Sequence, residues 1–300
     1  MSEFKKLLFI INKFSGAGFR PKLEGKILTA CEQHLTECTI EFTASRGHAA
    51  TIARNAASQF DAVIAVGGDG TVNETARGLL HSETPLGILP KGSGNGLARH
   101  LGIPMNLDAA LSALFNSQAI KMDTFQLNDH LSVNVSGIGF DGHVANLFGE
   151  NKKRGFWGYA RFVLREYIAF SGFEAQVVQG NNINSLHDSF IIALANSSQY
   201  GNNARLSPAA SITDNQLNLV HIKKIPLPKG VLFAWNLFMG TLRNSPHYFS
   251  QPAGNLSIKT KLPVPYHIDG EPCGTASVFD IRINPASLAV LVPEKNRNTV

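Results

Sequence analysis

Three cysteines in a chain of 300 residues, Cys31, Cys38 and Cys273, sit at no metal-ligand spacing and leave one over from any pairing. That scarcity argues against a disulfide framework and a sulfur-held metal, and points to a reduced, cytoplasmic setting with inert thiols. No apolar stretch approaches the roughly 20 residues needed to span a bilayer, so any contact with lipid is expected from the water side, as peripheral association. The opening "MSEFKKLLFIINKFSG" carries an apolar run of only five residues and no small-residue cleavage site. It reads as a first strand rather than a signal peptide.

Several site signatures are missing as well. There is no G-x-x-x-x-G-K-[ST], no H-E-x-x-H and no G-x-S-x-G, and the ten histidines do not cluster at ligand spacing. Repeats and low-complexity tracts are absent too. With 44% hydrophobic and 16% charged residues, the composition is that of a globular protein with no room for extended disorder.

What is present is length enough for two cores and a net charge of +5. A basic balance favours anionic company: nucleotide phosphates, nucleic acid or an anionic membrane surface. In the first third, short apolar runs such as "KLLFIIN", "TIEFTA", "DAVIAV" and "LGILP" alternate with helical patterns such as "HAATIARNAASQF" and "NETARGLLH". That alternation predicts a parallel sheet with helices on its faces. "LDAALSALFNSQ" adds another amphipathic helix, with Pro104 suiting its approach.

After about residue 120 the texture changes to many short strand-like runs separated by turn residues, the pattern of an antiparallel sandwich or barrel. The expected fold class is therefore α/β plus β. A nucleotide-binding α/β domain is placed at residues 1–124 and a β-sandwich acceptor domain at 125–300, the last residues being candidates to return to the first domain. Two segments, 155–173 and 228–242, interrupt the β half with Phe, Trp, Leu and Tyr at helical spacing. They pack the domain's own core or face a greasy cleft or membrane, with Lys152, Lys153, Arg154 and Arg161 near lipid headgroups in the second case.

Four glycine-rich or polar turns follow four of the predicted strands: "NKFSGAG", "TASRG", "GGDGTVN" and "KGSGNG". In an open parallel sheet such loops share one edge, where ligands bind. Exposed amides at glycines and helix N-termini attract phosphate oxygens, and Ser15, Thr43, Thr71 and Ser93 add hydroxyls. "GIGFDG" at 137–142 matches a dinucleotide fingerprint formally, but it falls where the βαβ pattern has ended and is set aside as a decoy.

These motifs, with "LGILPKGSGNGLAR", "SPAASITD" and "HIDGE" in the same order, resemble the diacylglycerol kinase and sphingosine kinase catalytic superfamily, in particular its bacterial soluble lipid kinases. The match is collinear over nearly the whole chain. "GGDGT" alone is less specific, since NAD kinases and phosphofructokinases carry similar strings.

The resemblance implies ATP held in a cleft between the two domains. Asn12, Lys13, Phe14, Ser15, Gly16, Thr43, Gly67, Gly68, Asp69, Gly70, Thr71, Val72, Asn73 and Ser93 would contact the nucleotide. Asp69 would sit beside the triphosphate and its Mg²⁺. Asp269 and Glu271 would be the acceptor-side catalytic acids, with Glu271 or its neighbour taking the lipid hydroxyl proton. A structural Mg²⁺ would use the Asp214 carboxylate and the carbonyls of Ser211 and Gln216.

This chain departs from the family pattern at Lys13 (usually proline), Ser93 (threonine), Gly96 (aspartate) and Asn215 (glycine). The expected activity is transfer of the ATP γ-phosphate to a diacylglycerol-like or sphingoid lipid. The alternatives are a soluble acceptor, as in NAD kinases, and a catalytically weak regulatory protein. Nucleic acid is not an expected partner, and the oligomeric state stays open, a homodimer included.

Overall fold

The apolar runs of the first third become β1 (Lys6–Ile11), β2 (Glu37–Phe42), β3 (Ala62–Gly67) and β4 (Leu86–Pro90). They are connected by α1 (Lys22–Gln33), α2 (His48–Ala56) and α3 (Asp69–Leu79). The structure, a computed structural model, describes residues 4–16, 22–150 and 156–296, with the side chains of 148–150, 156–162 and 295 outside the description. β1 pairs in parallel with β2 and β3, and β3 in parallel with β4. All six residues of β3 are buried, so both of its faces are covered, which is why its sequence reads as an unbroken apolar run.

The strand order β2–β1–β3–β4 changes direction between β1 and β3. Ligands of open α/β sheets bind at such a point, outside the carboxyl ends of the strands. The loops after β1 and β3 are the first and third of the glycine-rich turns.

α4 (Gly96–His100) and α5 (Leu107–Leu114) follow. Asn106 caps α5 by accepting from the amides of Asp108 (3.0 Å) and Ala109 (3.2 Å). The second half comprises β5 (Ser117–Leu127), β6 (His130–Ser132), β7 (Val135–Gly139), α6 (Phe140–Glu150), α7 (Phe156–Ala169), β8 (Phe173–Gln179) and β9 (Asn182–Ala195). It continues through β10 (Leu217–Lys223), α8 (Leu227–Met239), β11 (Tyr248–Ala253), β12 (Leu256–Ile268) and β13 (Glu271–Pro293).

The β-rich half does not stand as a sheet system of its own: its strands join those of the first half in one hydrogen-bonded sheet of 13 strands. The physical cause is β13, 23 residues long. Its successive stretches pair antiparallel with β12 and with β5, and near its end Val290 lies beside Leu86 of β4 in parallel. The core follows the same path, because Leu288, Val290, Leu291 and Val292 pack with β1 and β3 in the first hydrophobic cluster.

β5 passes from one core to the other. Met122 belongs to the first cluster, Phe125 and Leu127 to the second. Between them lies Asp123, 1% exposed. Its two oxygens accept from the amides of Asn215 and Ala286, each at 2.7 Å, and both donors have left-handed backbone. One carboxylate thus pins the turn before β10 and the irregularity in β13, and asparagine tolerates the left-handed position where a glycine is usual.

His100 ends α4. Its Nδ1 accepts from the amide of Ser198 (3.2 Å) and meets Ser198 Oγ (2.9 Å), while Nε2 is enclosed without a partner. Burial pushes this imidazole down to a pKa of about 4.

Two stability predictions follow from these buried groups. Asp123→Ala is expected to cost about 3 kcal/mol in urea unfolding, because two hydrogen bonds to a buried carboxylate are lost and two left-handed turns lose the group that pins them; a loss below about 1 kcal/mol would contradict the pinning role. In the unfolded chain His100 protonates near pH 6.5, whereas in the folded chain it resists down to about pH 4. Stability present above pH 6.5 is therefore lost as the pH falls toward 4, by up to about 3 kcal/mol from this group. His100→Gln is expected to reduce that acid-side loss, read from urea melts across the window.

Candidate active site

The four loops converge because their backbones are tied to one another. After β1, the Asn12 amide continues the ladder to Val66 O, its Oδ1 accepts from the Phe14 amide (2.9 Å), and its Nδ2 donates to Thr71 Oγ1 (3.1 Å). From the fourth loop, Lys91 Nζ donates to the carbonyls of Asn12 (3.2 Å) and Ser15 (3.0 Å). Gly16 is at φ +60°, and a Cβ there would stand 1.9 Å from Lys91 O. A Cβ on Gly92 would stand 2.5 Å from the Gly68 Cα, so the third and fourth loops touch backbone to backbone and need glycine for it.

α3 starts at Asp69, and its first hydrogen bond runs from the Val72 amide to Gly68 O. The amides of Gly70 and Thr71 precede that bond, the arrangement that draws phosphate to helix N-termini. Asp69 is held by the start of α4: its Oδ2 accepts from the Asn95 amide (2.9 Å) and its Oδ1 from the Gly96 amide (2.7 Å). A Cβ on Gly96 would fall 2.3 Å from Asn134 Nδ2 and 2.6 Å from Tyr200 O. This packing accounts for glycine where the family pattern carries aspartate.

Glu74, the last residue of "GGDGTVNE", serves the neighbouring helix. Its carboxylate accepts from the amides of Gly47 (2.7 Å) and Ala49 (3.3 Å) at the start of α2, where negative charge is favoured.

"HIDGE" closes the opposite wall. Asp269 is buried, and four donors reach its carboxylate: Ser132 Oγ (2.6 Å), the amides of Val133 (2.9 Å) and Asn134 (3.0 Å), and Asn73 Nδ2 (2.8 Å). A carboxylate has about four lone-pair sites, so this one is saturated. Asp269, expected as an acceptor-side catalytic acid, thus lines the cavity with its carboxylate already engaged by four donors. Two residues on, Glu271 is half exposed, and its Oε1 lies 2.9 Å from where a Cβ on Gly70 would be, over the first turn of α3. Arg46 from the second loop reaches Glu271 Oε2 at 3.4 Å.

Burial raises both Asp69 and Asp269 above the usual carboxylate range, against the hydrogen bonds that hold them down; the charge of Asp269 adds to the rise at Asp69. Two neighbouring buried carboxylates are a place where a cation relieves repulsion.

A cavity of about 1230 Å³ lies between these walls. Of the expected nucleotide residues, Asn12, Phe14, Ser15, Gly16, Thr43, Gly68, Asp69, Gly70, Thr71, Asn73 and Ser93 line it, as do Asp269 and Glu271. Lys13, Gly67 and Val72 do not: Lys13 Nζ sits 3.8 Å over the Phe42 ring, Gly67 ends β3, and Val72 is buried behind the first turn. Arg46, Arg77 and His130 also line the cavity and were not anticipated. Arg77 stands one helical turn from Asn73 on α3, a spacing that flags a shared face.

"GIGFDG" has a different use from dinucleotide binding. A Cβ on Gly142 would meet Tyr266 Cα at 2.5 Å, so its glycines let α6 start against β12. Asp141 there accepts from Tyr200 OH (2.7 Å) and from His267 Nε2 (3.3 Å). His267 Nδ1 accepts from the Gly270 amide (3.0 Å), which leaves the proton on Nε2. Burial, then the Asp141 charge, drives the Tyr200 pKa well up.

The expected structural ion turn is exposed at Asp214, whose Oδ1 accepts from the Gln216 amide (3.0 Å), while Ser211 Oγ meets Thr213. Among the described residues no three His, Cys, Asp or Glu side chains gather as metal ligands. Lys152, Lys153 and Arg154, and the side chain of Arg161, lie outside the described residues.

Two domain models match most of the chain: the diacylglycerol kinase catalytic domain at residues 6–127 and the YegS C-terminal NAD kinase beta sandwich-like domain at 134–292. A protein of Pectobacterium atrosepticum named "Probable lipid kinase YegS-like" is 31% identical over 240 residues, covering 78% of each chain. The diacylglycerol kinase of Bacillus subtilis is 28% identical over 277 residues, covering 89% of this chain and 90% of its own. The crystal structure of a diacylglycerol kinase from Bacillus anthracis superposes with a TM-score of 0.77 over 98% of this chain and 99% of its own, at 20% identity, a likeness of fold. With both halves matched in order, the chain belongs to the bacterial lipid kinase family of diacylglycerol kinase type and is a phosphotransferase with an alcohol group as acceptor.

Proposed function

We propose that the protein transfers the γ-phosphate of ATP to a hydroxyl of a diacylglycerol-like or sphingoid lipid, in the cleft between its two halves. The observation that carries this reading is the single cavity lined at once by the loops after β1 to β4 and by Asp269, Gly270 and Glu271. Phosphoryl transfer asks a protein chiefly for positioning and charge stabilisation. The loop amides and the first turn of α3 supply the first, with Arg46 and Arg77 as cations on the cavity wall.

Mg²⁺ fits at Asp69. Its carboxylate is raised by burial beside Asp269 and has each oxygen holding only one amide, and Mg²⁺ characteristically takes one or two carboxylates and leaves the rest of its shell to phosphates and water. Bound there, it would neutralise the phosphate oxygens. The turn of Ser211, Asp214 and Gln216 is our assignment for a second, structural Mg²⁺, with Asp214 keeping one oxygen outside its turn bond.

Glu271 orients the acceptor hydroxyl over the first turn of α3 and accepts its proton. Asp269 holds the strand end that carries Glu271. Arg46 pairs with the Glu271 carboxylate, an exposed pair that contributes little to stability. The lipid is met at an anionic membrane surface; among the described residues no helix is long and apolar enough to cross a membrane.

A soluble acceptor is the second reading, favoured by the NAD kinase likeness of the matched C-terminal domain. A radiolabelled-phosphate transfer screen over diacylglycerol, monoacylglycerol, phosphatidylglycerol, ceramide and sphingosine in mixed micelles, with NAD as control, separates the two. Label on a lipid is the expected result; label on NAD alone overturns the proposal.

Two variants test the roles. Asp69→Asn is expected to lower turnover roughly a hundred- to thousand-fold, the usual size of a lost electrostatic contact. Glu271→Gln is expected to lower turnover comparably while leaving ATP affinity within about two-fold, since this carboxylate faces the acceptor. Normal turnover in Glu271→Gln would remove it from the reaction.

A further inference from the structure

α8 is apolar around its circumference except at Lys229 and Asn236, a composition that suits an enclosed helix. Yet none of its residues is buried. Phe233 and Leu237 turn inward onto the cluster that holds Ile222, Ile225 and Tyr248. On the other side, Leu227, Val231, Leu232, Trp235, Phe238 and Met239 share an arc roughly 140° wide at about 100° per residue. They stand 49 to 77% exposed. Single exposed leucines need no account, but a contiguous apolar face does.

On α7, Leu164 and Ile168 are exposed as well. The C-terminal end of α7 is fastened to the segment just ahead of α8. Tyr167 OH donates to Ile225 O and accepts from the Ile225 amide (3.0 Å), and Lys224 Nζ donates to the carbonyls of Ile168 and Phe170, 2.9 Å each.

Charge frames the patch. From Asn215 to Ile268 the chain contains no Asp or Glu. Lys229 is exposed in the first turn of α8, and Arg205 and Arg243 are exposed at its far end, where Arg205 lies against the Gly240 cap. Two copies meeting through this face would bring like charges together. An anionic lipid surface complements them, and an apolar face combined with basic residues is what lets a helix lie in a bilayer interface.

We propose that the exposed apolar arc of α8 is the face by which the protein docks on an anionic bilayer. Trp235, Phe238 and their neighbours enter the boundary between headgroups and acyl chains, and Lys229, Arg205 and Arg243 meet the lipid phosphates. The inference rests on the lipid-kinase reading for its purpose: an acceptor that stays in the membrane must be collected there.

The test is co-sedimentation of the full chain with vesicles of phosphatidylcholine alone and of phosphatidylcholine with phosphatidylglycerol, for the wild type and a Trp235→Glu/Phe238→Glu double variant. The expected result is binding of the wild type to the anionic vesicles, at least ten-fold weaker to the neutral ones, and a ten-fold or greater loss in the variant. A wild type that stays in the supernatant with anionic vesicles, or a variant that binds equally, overturns the proposal. So does a variant that binds vesicles normally but shrinks from dimer to monomer by light scattering, which would assign the face to a second copy. Phosphorylation of a monomerically dispersed short-chain diacylglycerol is expected to be the same in both proteins. Its absence in both would count against the kinase reading while leaving the vesicle result to stand by itself.

Discussion

The carboxylate of Asp269 is the contact on which the site depends. Its four donors come from α3, from β6 and from the turn into β7, so one buried group binds the end of β12 to the helix that follows the phosphate-side loop. Leaving a buried carboxylate without such partners is costly, and satisfying it in full makes the junction rigid. Glu271 follows two residues later and is thereby set over Gly70. The relation between Glu271 and the start of α3 is a property of this junction, made across nearly 200 residues of chain.

The same economy of contact governs the loops. Gly68 and Gly92 approach until no side chain fits between them, and Lys91 clamps the carbonyls of the first loop. Conformational cost accepted at the glycines is offset by this mutual packing. Asp69 then lies between α3 and α4 with both oxygens on backbone amides, and burial, with the Asp269 charge adding to it, raises its pKa above the usual carboxylate range.

Much of this was legible from residue patterns. Strands β1 to β4, the loops after them and both aromatic helices follow from local periodicity and glycine placement, which depend on neighbours within a few residues. The status of Asp269 was not legible, because saturation of its carboxylate depends on Asn73 and on Ser132, Val133 and Asn134. Nor was the use of "GIGFDG", whose glycines answer to the distant β12. Nor does any run mark β13 as one strand of 23 residues, since the irregularity between Asn284 and Leu288 interrupts its pattern. Arg46 and Arg77 gave no signal of their own: a lone arginine in a loop or on a helix face is usually a solvated one.

Local chemistry in the sequence determined which elements form and where glycine, carboxylate and hydroxyl groups occur along them. That suffices to single out the glycine-rich loops that line the cavity and to relate them, in order, to an acidic motif far along the chain. Tertiary structure alone decided that Asp269 is held by four donors while Glu271 stays half exposed beside it on the cavity wall, and that a helix as greasy as α8 lies on the surface. The reason is physical: hydrogen-bond saturation and burial are properties of a group's surroundings in space, and residues supply those surroundings only after β13 has drawn the two halves into one sheet.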